Sequence, residues 1–337
     1  MKGVTVVFQR HSRFGVTLVE VLVSIGILAV LMALAAPAIQ QARAVSARLR
    51  CINNLKQLAL ASHSFHDSHS HLPGQGLVRW TSSPQDAPGV ISSWGLLLGY
   101  LGESNLAEKI DYRETAAAAY PVPGSPYNAE LLKISLSVLQ CPADSSRVGS
   151  TNYRTCQGIH PYSGANEAVN RGAYFSSGMV GRPAKFSLIT DGLSNTALCS
   201  EKIVGDFDDA QYSPVRDVID TNGPNLPNAD AYRNLCDQLS VQPVTTHASS
   251  GGGTWLLNSN LYTWYNHVLT PNSRIPDCST GGDLTTGAIT VRSWHEGGAS
   301  VALADGAVRF VSQEIDLLVW RSMGSRSGNE AQQYPSD

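Results

Sequence analysis

The sequence predicts an α+β fold in which one long N-terminal helix packs on an antiparallel β-sheet with loop-rich insertions. An apolar run of membrane length from Val16 to Ile39 predicts the first half of the helix. Apolar residues at three- and four-residue steps as far as Phe65 predict an amphipathic second half. Alternating segments on both sides of Asp305-Gly306 predict a β-hairpin near the C-terminus. We expect the sheet to cover the apolar stripe of the second half.

The apolar run is long enough to cross a membrane. As a helix, about 24 residues reach roughly 36 Å, whereas a hydrocarbon core is about 30 Å thick. Glu20 lies near the start of this run. A charge at the bilayer centre costs about 2.5–3.5 kcal/mol, and less near an end. We therefore interpret Glu20 as a functional residue that needs a positively charged partner.

Three other interpretations of the run stay open. A secretory signal peptide has a shorter apolar region of about 7–15 residues, although Ala33 to Ala38 resembles its small-residue cleavage site. A plain signal anchor with an accidental Glu and a buried soluble helix are the other two. Basic residues both precede and follow the run, so charge alone does not orient it.

Cleavage after Gly15 would leave a free amine on Val16, one helical turn before Glu20. The short basic leader (residues 1–15), Gly15, Glu20 and Pro37 resemble the N-terminal signal of type IV prepilins and pseudopilins. The resemblance implies that a prepilin peptidase cuts after Gly15 and methylates Val16. It also implies that Glu20 pairs with the terminus of a neighbouring pilin-like subunit during assembly. Val16 departs from the Phe or Met that is usual at its position.

The same resemblance orients the chain and divides it. It implies a single-pass protein of the cytoplasmic (inner) membrane, with the N-terminus cytoplasmic and the C-terminal domain periplasmic or otherwise extracytoplasmic. After the leader we expect a transmembrane and assembly half of the helix (16–39) and an amphipathic half (40–66). A globular domain (67–325) and a polar tail (326–337) follow.

The composition argues against nucleic acid as a partner and fits an oxidising compartment. The net charge is −3 and no Lys/Arg-rich block is present, so the sequence shows no basic segment of the kind that binds nucleic acid. Six cysteines fit an oxidising compartment if the domain is exported, and no C-x-x-C pair is present. Many pairings are open, and closeness in sequence favours Cys141 with Cys156 and Cys236 with Cys278.

Shorter elements are expected after the long helix. The patterns predict helices at 93–110, 128–136 and 314–323. They predict strands at 185–190, 197–201, 288–293, 299–304 and 307–312. Residues 204–284 are dense in Asn, Asp, Pro, Ser and Gly, and we expect a loop-rich insertion there.

An ordered set of motifs runs through nearly the whole chain. They are Asn53 to Gln57, Cys141 to Asp144, Thr151 to Tyr153, Asp191 to Thr196, Glu201, and His295 followed after nine residues by Asp305-Gly306. In this order they resemble a very large bacterial family of pilin-like proteins, the domain-of-unknown-function family fifteen fifty-nine, which an older label calls a solute-binding domain. The resemblance implies a pilin-like fold but no activity, because the family has none firmly assigned.

The C-terminal signature (His295, Asp305 and Gly306) has two interpretations. It forms a small-ligand or cation site, or it is a turn with a His that ties one strand to its neighbours. We favour the structural role, because Asp-Gly turn chemistry already explains half of the motif.

Two further clusters are compared with metal sites. The segment with Asp191, Gly192, Ser194, Asn195 and Thr196 is expected to be a structured turn rather than a calcium site, because such side chains bond nearby backbone readily. His63 and His66, at i and i+3 of the helix, are weak metal candidates without an identifiable third ligand. We therefore expect no metal and no cofactor.

None of the enzyme motifs considered is complete in the sequence, and we expect no catalytic residue. His295-Glu296 lacks the second His of a zincin, no G-x-S-x-G motif occurs, and the glycine-rich stretch 249–254 lacks the Lys of a phosphate loop.

The sequence predicts a type IV pilin-like or pseudopilin-like subunit, assembled or anchored through its N-terminal helix in a secretion or pilus system. The alternative is a membrane-tethered ligand-binding module that is processed like a prepilin without polymerising. A hydrolase on a similar stalk is a third hypothesis.

Overall fold

A computed structural model describes residues 17–74, 91–111, 128, 130–144, 148–159, 184–280 and 286–328. The predicted leader with Gly15, the residue Val16 and residues 329–337 of the predicted tail lie outside this description. The chain divides into two compact units, Met1–Ser46 and Ala47–Asp337.

One helix, α1 (Leu18–His69), covers both halves of the predicted N-terminal helix. Pro37 lies inside α1 without ending it. The helix ends where Ser70 takes a positive φ of 60° and donates its backbone N–H to the His66 carbonyl at 2.7 Å. His66 and His69 lie in the last turn, where imidazoles suit the negative end of the helix dipole.

The main sheet of the second unit has five strands. They are β1 (Tyr153–Cys156), β2 (Ala197–Glu201), β5 (Trp264–Tyr265), β8 (Gly298–Leu303) and β9 (Val308–Ser312). Their spatial order is β5-β1-β2-β8-β9, and all neighbours are antiparallel except β1 and β5. The predicted C-terminal hairpin is confirmed, because β8 and β9 pair across the Asp305-Gly306 turn.

Side chains of β8 alternate between two cores, as a strand requires. Ala302 packs in the core that holds Leu55 and Leu58 of α1. Val301 and Leu303 pack in the core that holds Trp320 of α5 (Leu317–Gly324). The α1 residues of the second unit therefore lie over one face of the sheet and α5 over the other. The result is an α+β fold with a long N-terminal helix, as the sequence predicts.

A second sheet occupies the segment that the sequence predicts to be loop-rich. It contains β3 (Val218–Asp220), β4 (His247–Ala248), β6 (Asp277–Thr280) and β7 (Thr286–Ala288), in the spatial order β4-β3-β6-β7. The helix α4 (Ala229–Leu239) packs with it in a third core. The prediction missed this layer because its strands are short and bury polar residues such as Ser279, which conceals the apolar alternation.

Four smaller elements also differ from prediction. Residues 185–190 contain a 3₁₀ helix, Phe186–Leu188, instead of the predicted strand. The expected helix at 93–110 is divided into α2 (Ser93–Leu97), a 3₁₀ helix (Leu98–Leu101) and α3 (Ser104–Ala107).

The division at 93–110 follows from Gly102, whose φ of 84° ends the first part. The described residues of 128–136 contain only a 3₁₀ turn, Leu131–Lys133, after Asn128, which has a positive φ of 55°. The predicted strand 288–293 ends at Ala288, because residues 289–292 bond to irregular segments instead of a strand.

The predicted Cys141–Cys156 disulfide is wrong. Cys141 is joined to Cys51 of α1, and Cys156 is a buried free thiol. Closeness in sequence misled here, because β1 carries Cys156 into the core on the α5 side of the sheet, while Cys141 lies in the core with α1. Cys236 pairs with Cys278, as the sequence favoured, and joins α4 to β6.

Candidate functional site

Glu20 lies in the first turn of α1 and forms a capping box with Thr17. Glu20 Oε2 accepts hydrogen bonds from Thr17 N at 2.8 Å and Thr17 Oγ1 at 2.9 Å. Glu20 N donates to Thr17 Oγ1 at 3.3 Å. This reciprocal arrangement satisfies N–H groups that a helix start leaves unpaired. Sequence reasoning missed it, although the T-x-x-E spacing is its known signal.

The apolar surface of α1 is exposed throughout the unit Met1–Ser46. Every residue from 17 to 46 is exposed, and Leu18 reaches 78%. Among the residues that the structure describes, α1 is the one helix long and apolar enough to cross a membrane. An apolar surface on all sides requires lipid or other apolar helices around it.

Within the unit Ala47–Asp337, residues from three of the motifs and one residue of α1 meet at one place. Cys51 comes from α1 and Cys141 from the loop after the 3₁₀ helix Ser137–Leu139. Glu201 ends β2, and His295 precedes β8. His295 Nε2 lies 3.7 Å from Cys141 Sγ and 3.5 Å from Glu201 Oε2.

Burial governs the charge of the two titratable groups in this cluster. Burial raises the pKa of Glu201 to about 7, against the opposing hydrogen bond from Ser300 N at 2.6 Å. Burial also lowers the pKa of His295, and the nearby Arg48 lowers it further. Both shifts favour the neutral forms of the side chains.

Asp144 and Asn152 hold the loops of this cluster in place. Asp144 Oδ2 accepts from Asn152 Nδ2 at 2.8 Å and from Val204 N at 2.7 Å. Asp144 Oδ1 accepts from Trp294 Nε1 at 2.9 Å. Asn152 Oδ1 accepts from Cys141 N at 2.9 Å, which fixes the cysteine loop.

A small pocket opens beside the cluster. Its lining includes Cys141, Glu201, Ser293 and Trp294. It has room for about one water molecule, so it does not accommodate an organic ligand of ordinary size.

A buried ionic network lies behind Glu201, where Lys202 is the next residue. Lys202 Nζ bonds Asp277 Oδ2, and Arg292 NH2 lies 3.1 Å from Asp277 Oδ1. Burial lowers the pKa of Lys202 to about 7, although Asp277 opposes the change. Burial opposes ionisation of Asp277, yet Lys202 and Arg292 hold its pKa below the ordinary value. Sequence reasoning did not single out these residues, because they are distant in sequence and lie in no known motif.

The two ends of the C-terminal signature lie beside different parts of α1. His295 belongs to the cluster with Cys51, whereas the Gly306 carbonyl accepts from Lys56 Nζ at 2.5 Å. Asp305 Oδ1 accepts from Ala307 N at 2.8 Å within the turn itself. The contacts of the signature are therefore a backbone-held turn at Asp305 and Gly306 and, apart from it, a buried imidazole at His295.

The segment 191–196 forms a turn whose side chains bond to backbone. Asn195 Nδ2 donates to the Asp191 carbonyl at 3.0 Å, and Thr196 Oγ1 donates to the Gly192 carbonyl at 3.1 Å. Gly192 has a φ of 97°, which favours glycine. Asp305 N donates to the Leu193 carbonyl at 3.0 Å, so this turn packs beside the C-terminal hairpin.

The two weak metal candidates bond to separate backbone groups. His63 Nε2 lies 2.9 Å from the Ala304 carbonyl oxygen. His66 Nε2 accepts from Phe186 N at 3.4 Å. The His63 ring stacks on Phe186 with centroids 4.5 Å apart, and the His66 ring is tilted against the same ring at 4.3 Å. The Nε2 atom of each ring therefore faces a different backbone group.

Comparison with known proteins identifies two family profiles along the chain. One, described as "Protein of unknown function (DUF1559)", matches residues 40–318. The other, described as "Prokaryotic N-terminal methylation motif", matches residues 10–36. Neither description names an enzymatic activity. No curated protein and no solved structure matches the chain.

The methylation motif indicates prepilin-like processing, which a prepilin peptidase performs. Together with the exposed apolar helix it indicates membrane anchoring. The wider match covers most of the residues beyond this anchor. The chain therefore belongs to the family of proteins of unknown function DUF1559 and carries a prokaryotic N-terminal methylation motif at its start.

Proposed function

We propose that this chain is a type IV pilin-like or pseudopilin-like subunit that joins an assembly through its N-terminal helix. A prepilin peptidase cuts after Gly15 and methylates Val16, so the mature chain begins two residues before α1. The observation that carries the proposal is the exposed apolar surface of residues 17–39, which overlaps the segment 10–36 that matches the N-terminal methylation motif.

Glu20 is the residue on which assembly depends. Its carboxylate accepts a hydrogen bond from Thr17 N at 2.8 Å, at the first described residue of the chain. In the mature chain this carboxylate pairs with the amine of a neighbouring subunit. A carboxylate in an apolar environment is tolerated only when it is paired, which makes the pairing a condition of packing.

The proposed location is the cytoplasmic membrane, with the N-terminus cytoplasmic and the unit Ala47–Asp337 extracytoplasmic. Two disulfides support this orientation, since disulfides persist in oxidising compartments. The partners are the prepilin peptidase and other pilin-like subunits of a secretion or pilus system.

The test compares Glu20→Gln with the unchanged chain in cells. Gln preserves the capping box with Thr17 but removes the charge, so helix formation is retained while pairing with an amine is lost. We expect mass spectrometry to find N-methyl-Val16 at the mature N-terminus of both proteins. We expect crosslinked ladders for the unchanged chain and monomer alone for Glu20→Gln.

Gln41→Ala is the matched control, because Gln41 is an exposed polar residue of the same helix. It should leave both processing and ladders unchanged. Ladders that persist in Glu20→Gln would refute the role of Glu20. A processed but monomeric unchanged chain would instead support the tethered binding module.

A further inference from the structure

Four metal-binding atoms lie at one point of the unit Ala47–Asp337. The sulfurs of Cys51 and Cys141, a carboxylate oxygen of Glu201 and a ring nitrogen of His295 lie within 4.8 Å of one another, and all four residues are buried. The distance between His295 Nε2 and Glu201 Oε2 is 3.5 Å. This exceeds the usual hydrogen-bond length of about 2.7–3.2 Å, so the two groups converge without bonding closely to each other.

Two of the separations fit ligands that share one ion, whereas the two sulfurs are bonded in the disulfide and separate only on reduction. Zn²⁺ binds sulfur at about 2.3 Å and nitrogen or oxygen at about 2.0–2.2 Å in a tetrahedron, which sets ligand atoms roughly 3.3–3.8 Å apart. The distances of 3.5 Å and 3.7 Å from His295 Nε2 to Glu201 Oε2 and Cys141 Sγ fall in this range. The Cα atoms of Cys51 and Cys141 are 5.1 Å apart, so both thiolates of a reduced pair remain within reach of the same ion.

We propose that the chain, when its Cys51–Cys141 disulfide is reduced, binds one Zn²⁺ ion through Cys51, Cys141, His295 and Glu201. Cysteine, histidine and glutamate are the side chains that zinc prefers, and four of them complete its tetrahedron. The ion would join α1, the Cys141 loop, β2 and the segment before β8 in place of the disulfide.

The surroundings hold these ligands in position and balance their charge. Ser300 N bonds Glu201 Oε1 at 2.6 Å, while Glu201 Oε2 faces His295. Two thiolates, one carboxylate and Zn²⁺ leave one net negative charge. Arg48 acts electrostatically on both Glu201 and His295, and its guanidinium is held 3.7 Å above the Phe310 ring. Arg48 is therefore placed to offset that charge.

Reduction comes before metal binding. A dithiol reductant supplies two electrons and two protons, the sulfur–sulfur bond breaks, two thiols form, and the reductant becomes a disulfide. Zn²⁺ then displaces both thiol protons into solvent and bonds to the thiolates. In the oxidised chain only His295 and Glu201 keep free ligand atoms, so the site binds zinc in one redox state and not in the other.

The cluster lies just beneath the surface, where an ion can reach it. His295 is 7% exposed and Cys141 is 5% exposed. The small pocket lined by Cys141, Glu201 and Trp294 opens at its edge.

Cobalt titration of the full chain in detergent tests the proposal. The protein is reduced with a dithiol, desalted without oxygen, titrated with Co²⁺ and then challenged with Zn²⁺. We expect one Co²⁺ per chain, with the visible bands of a tetrahedral site and thiolate charge transfer, and displacement by Zn²⁺. The oxidised chain should show neither band.

Variants assign the signal to these four residues. The Cys236→Ser, Cys278→Ser double variant is the matched control and should still bind one Co²⁺ after reduction. His295→Asn and Glu201→Gln leave the disulfide cysteines in place and should each weaken binding by at least about tenfold. Unchanged affinity in His295→Asn would overturn the proposal.

Alkylation of the reduced, unchanged chain gives a second readout that needs no variant. Zn²⁺ should protect the peptides with Cys51 and Cys141 from alkylation, while those with Cys236 and Cys278 react. Protection of Cys236 and Cys278 instead, or no tetrahedral Co²⁺ signal in the reduced chain, would contradict a site at His295.

Discussion

His267 is a fully buried imidazole that stacks on Trp320, with ring centroids 3.7 Å apart. Its Nδ1 lies 2.6 Å from the Trp320 carbonyl oxygen, and its Nε2 lies 3.2 Å from the Tyr265 hydroxyl. A carbonyl oxygen only accepts hydrogen bonds, so Nδ1 carries the proton and Nε2 accepts from Tyr265. Burial lowers the pKa of His267 to about 3, because the charged ring would lose its hydration.

This pKa shift predicts that stability depends on pH. The folded pKa is below the unfolded value of about 6.5, so the contribution of neutral His267 is fully present above about pH 6.5 and is lost as pH falls toward 3. In that window the unfolding free energy should fall by up to roughly 1.4 kcal/mol per pH unit from this group. Urea unfolding at several pH values measures it. His267→Gln, which does not titrate, should have a shallower slope; equal slopes would contradict the assignment.

Gly324, at the end of α5, has no room for a side chain. A Cβ atom there would lie 2.7 Å from Cγ of His267, which is held on the Trp320 ring. Gly324→Ala should therefore lower the unfolding free energy by about 1–3 kcal/mol, the usual cost of overpacking. Gly99→Ala is the control, because a Cβ atom there meets nothing within 4 Å. Chemical denaturation of both variants checks this, and equal stability would mean that the ring moves aside freely.

At the scale of elements, the β8–β9 turn is held by backbone conformation and by α1. Gly306 has a φ of 83°, and a Cβ atom there would be 3.6 Å from His63 Nε2, which is ordinary contact. The cost of Gly306→Ala should therefore come from the backbone alone, at about 1–2 kcal/mol of unfolding free energy. Gly306→Asn should recover part of it, because Asn tolerates positive φ. The denaturation midpoints of the two variants measure this difference. If Gly306→Asn is no more stable than Gly306→Ala, the space around the side chain, and not the backbone conformation, limits stability.

The predictable elements are those with a strong local signal. α1 carries a long apolar pattern, and the β8–β9 hairpin has alternating strands around an Asp-Gly turn. The second sheet has neither, because β3 and β6 are short and β6 buries polar side chains. Their pairing depends on neighbours far away in sequence, which no local pattern records.

At the scale of the whole molecule, the apolar half of α1 sets where the chain resides. Leu28 lies near the middle of the predicted span, and its side chain is 55% exposed. Leu28→Arg should weaken membrane insertion, since a charge at the bilayer centre costs about 2.5–3.5 kcal/mol. The fraction of chain that resists carbonate extraction from membranes measures this.

Gln41→Arg places the same charge on the same helix beyond the predicted span and serves as the control. It should remain in the membrane fraction. Equal extraction of Leu28→Arg and Gln41→Arg would mean that the span lies elsewhere along α1.

The sequence by itself determined the long helix, its apolar half, the processing motif and the final hairpin, because each is written in neighbouring residues. It also singled out Cys141, Glu201 and His295 as motif residues. Only the tertiary structure decided that these three meet Cys51, and that Lys202, Asp277 and Arg292 form a buried ionic network beside them. The physical reason is that sheet pairing and burial bring together side chains from segments that are distant in sequence. The order of residues along the chain does not specify how far apart such side chains lie in space.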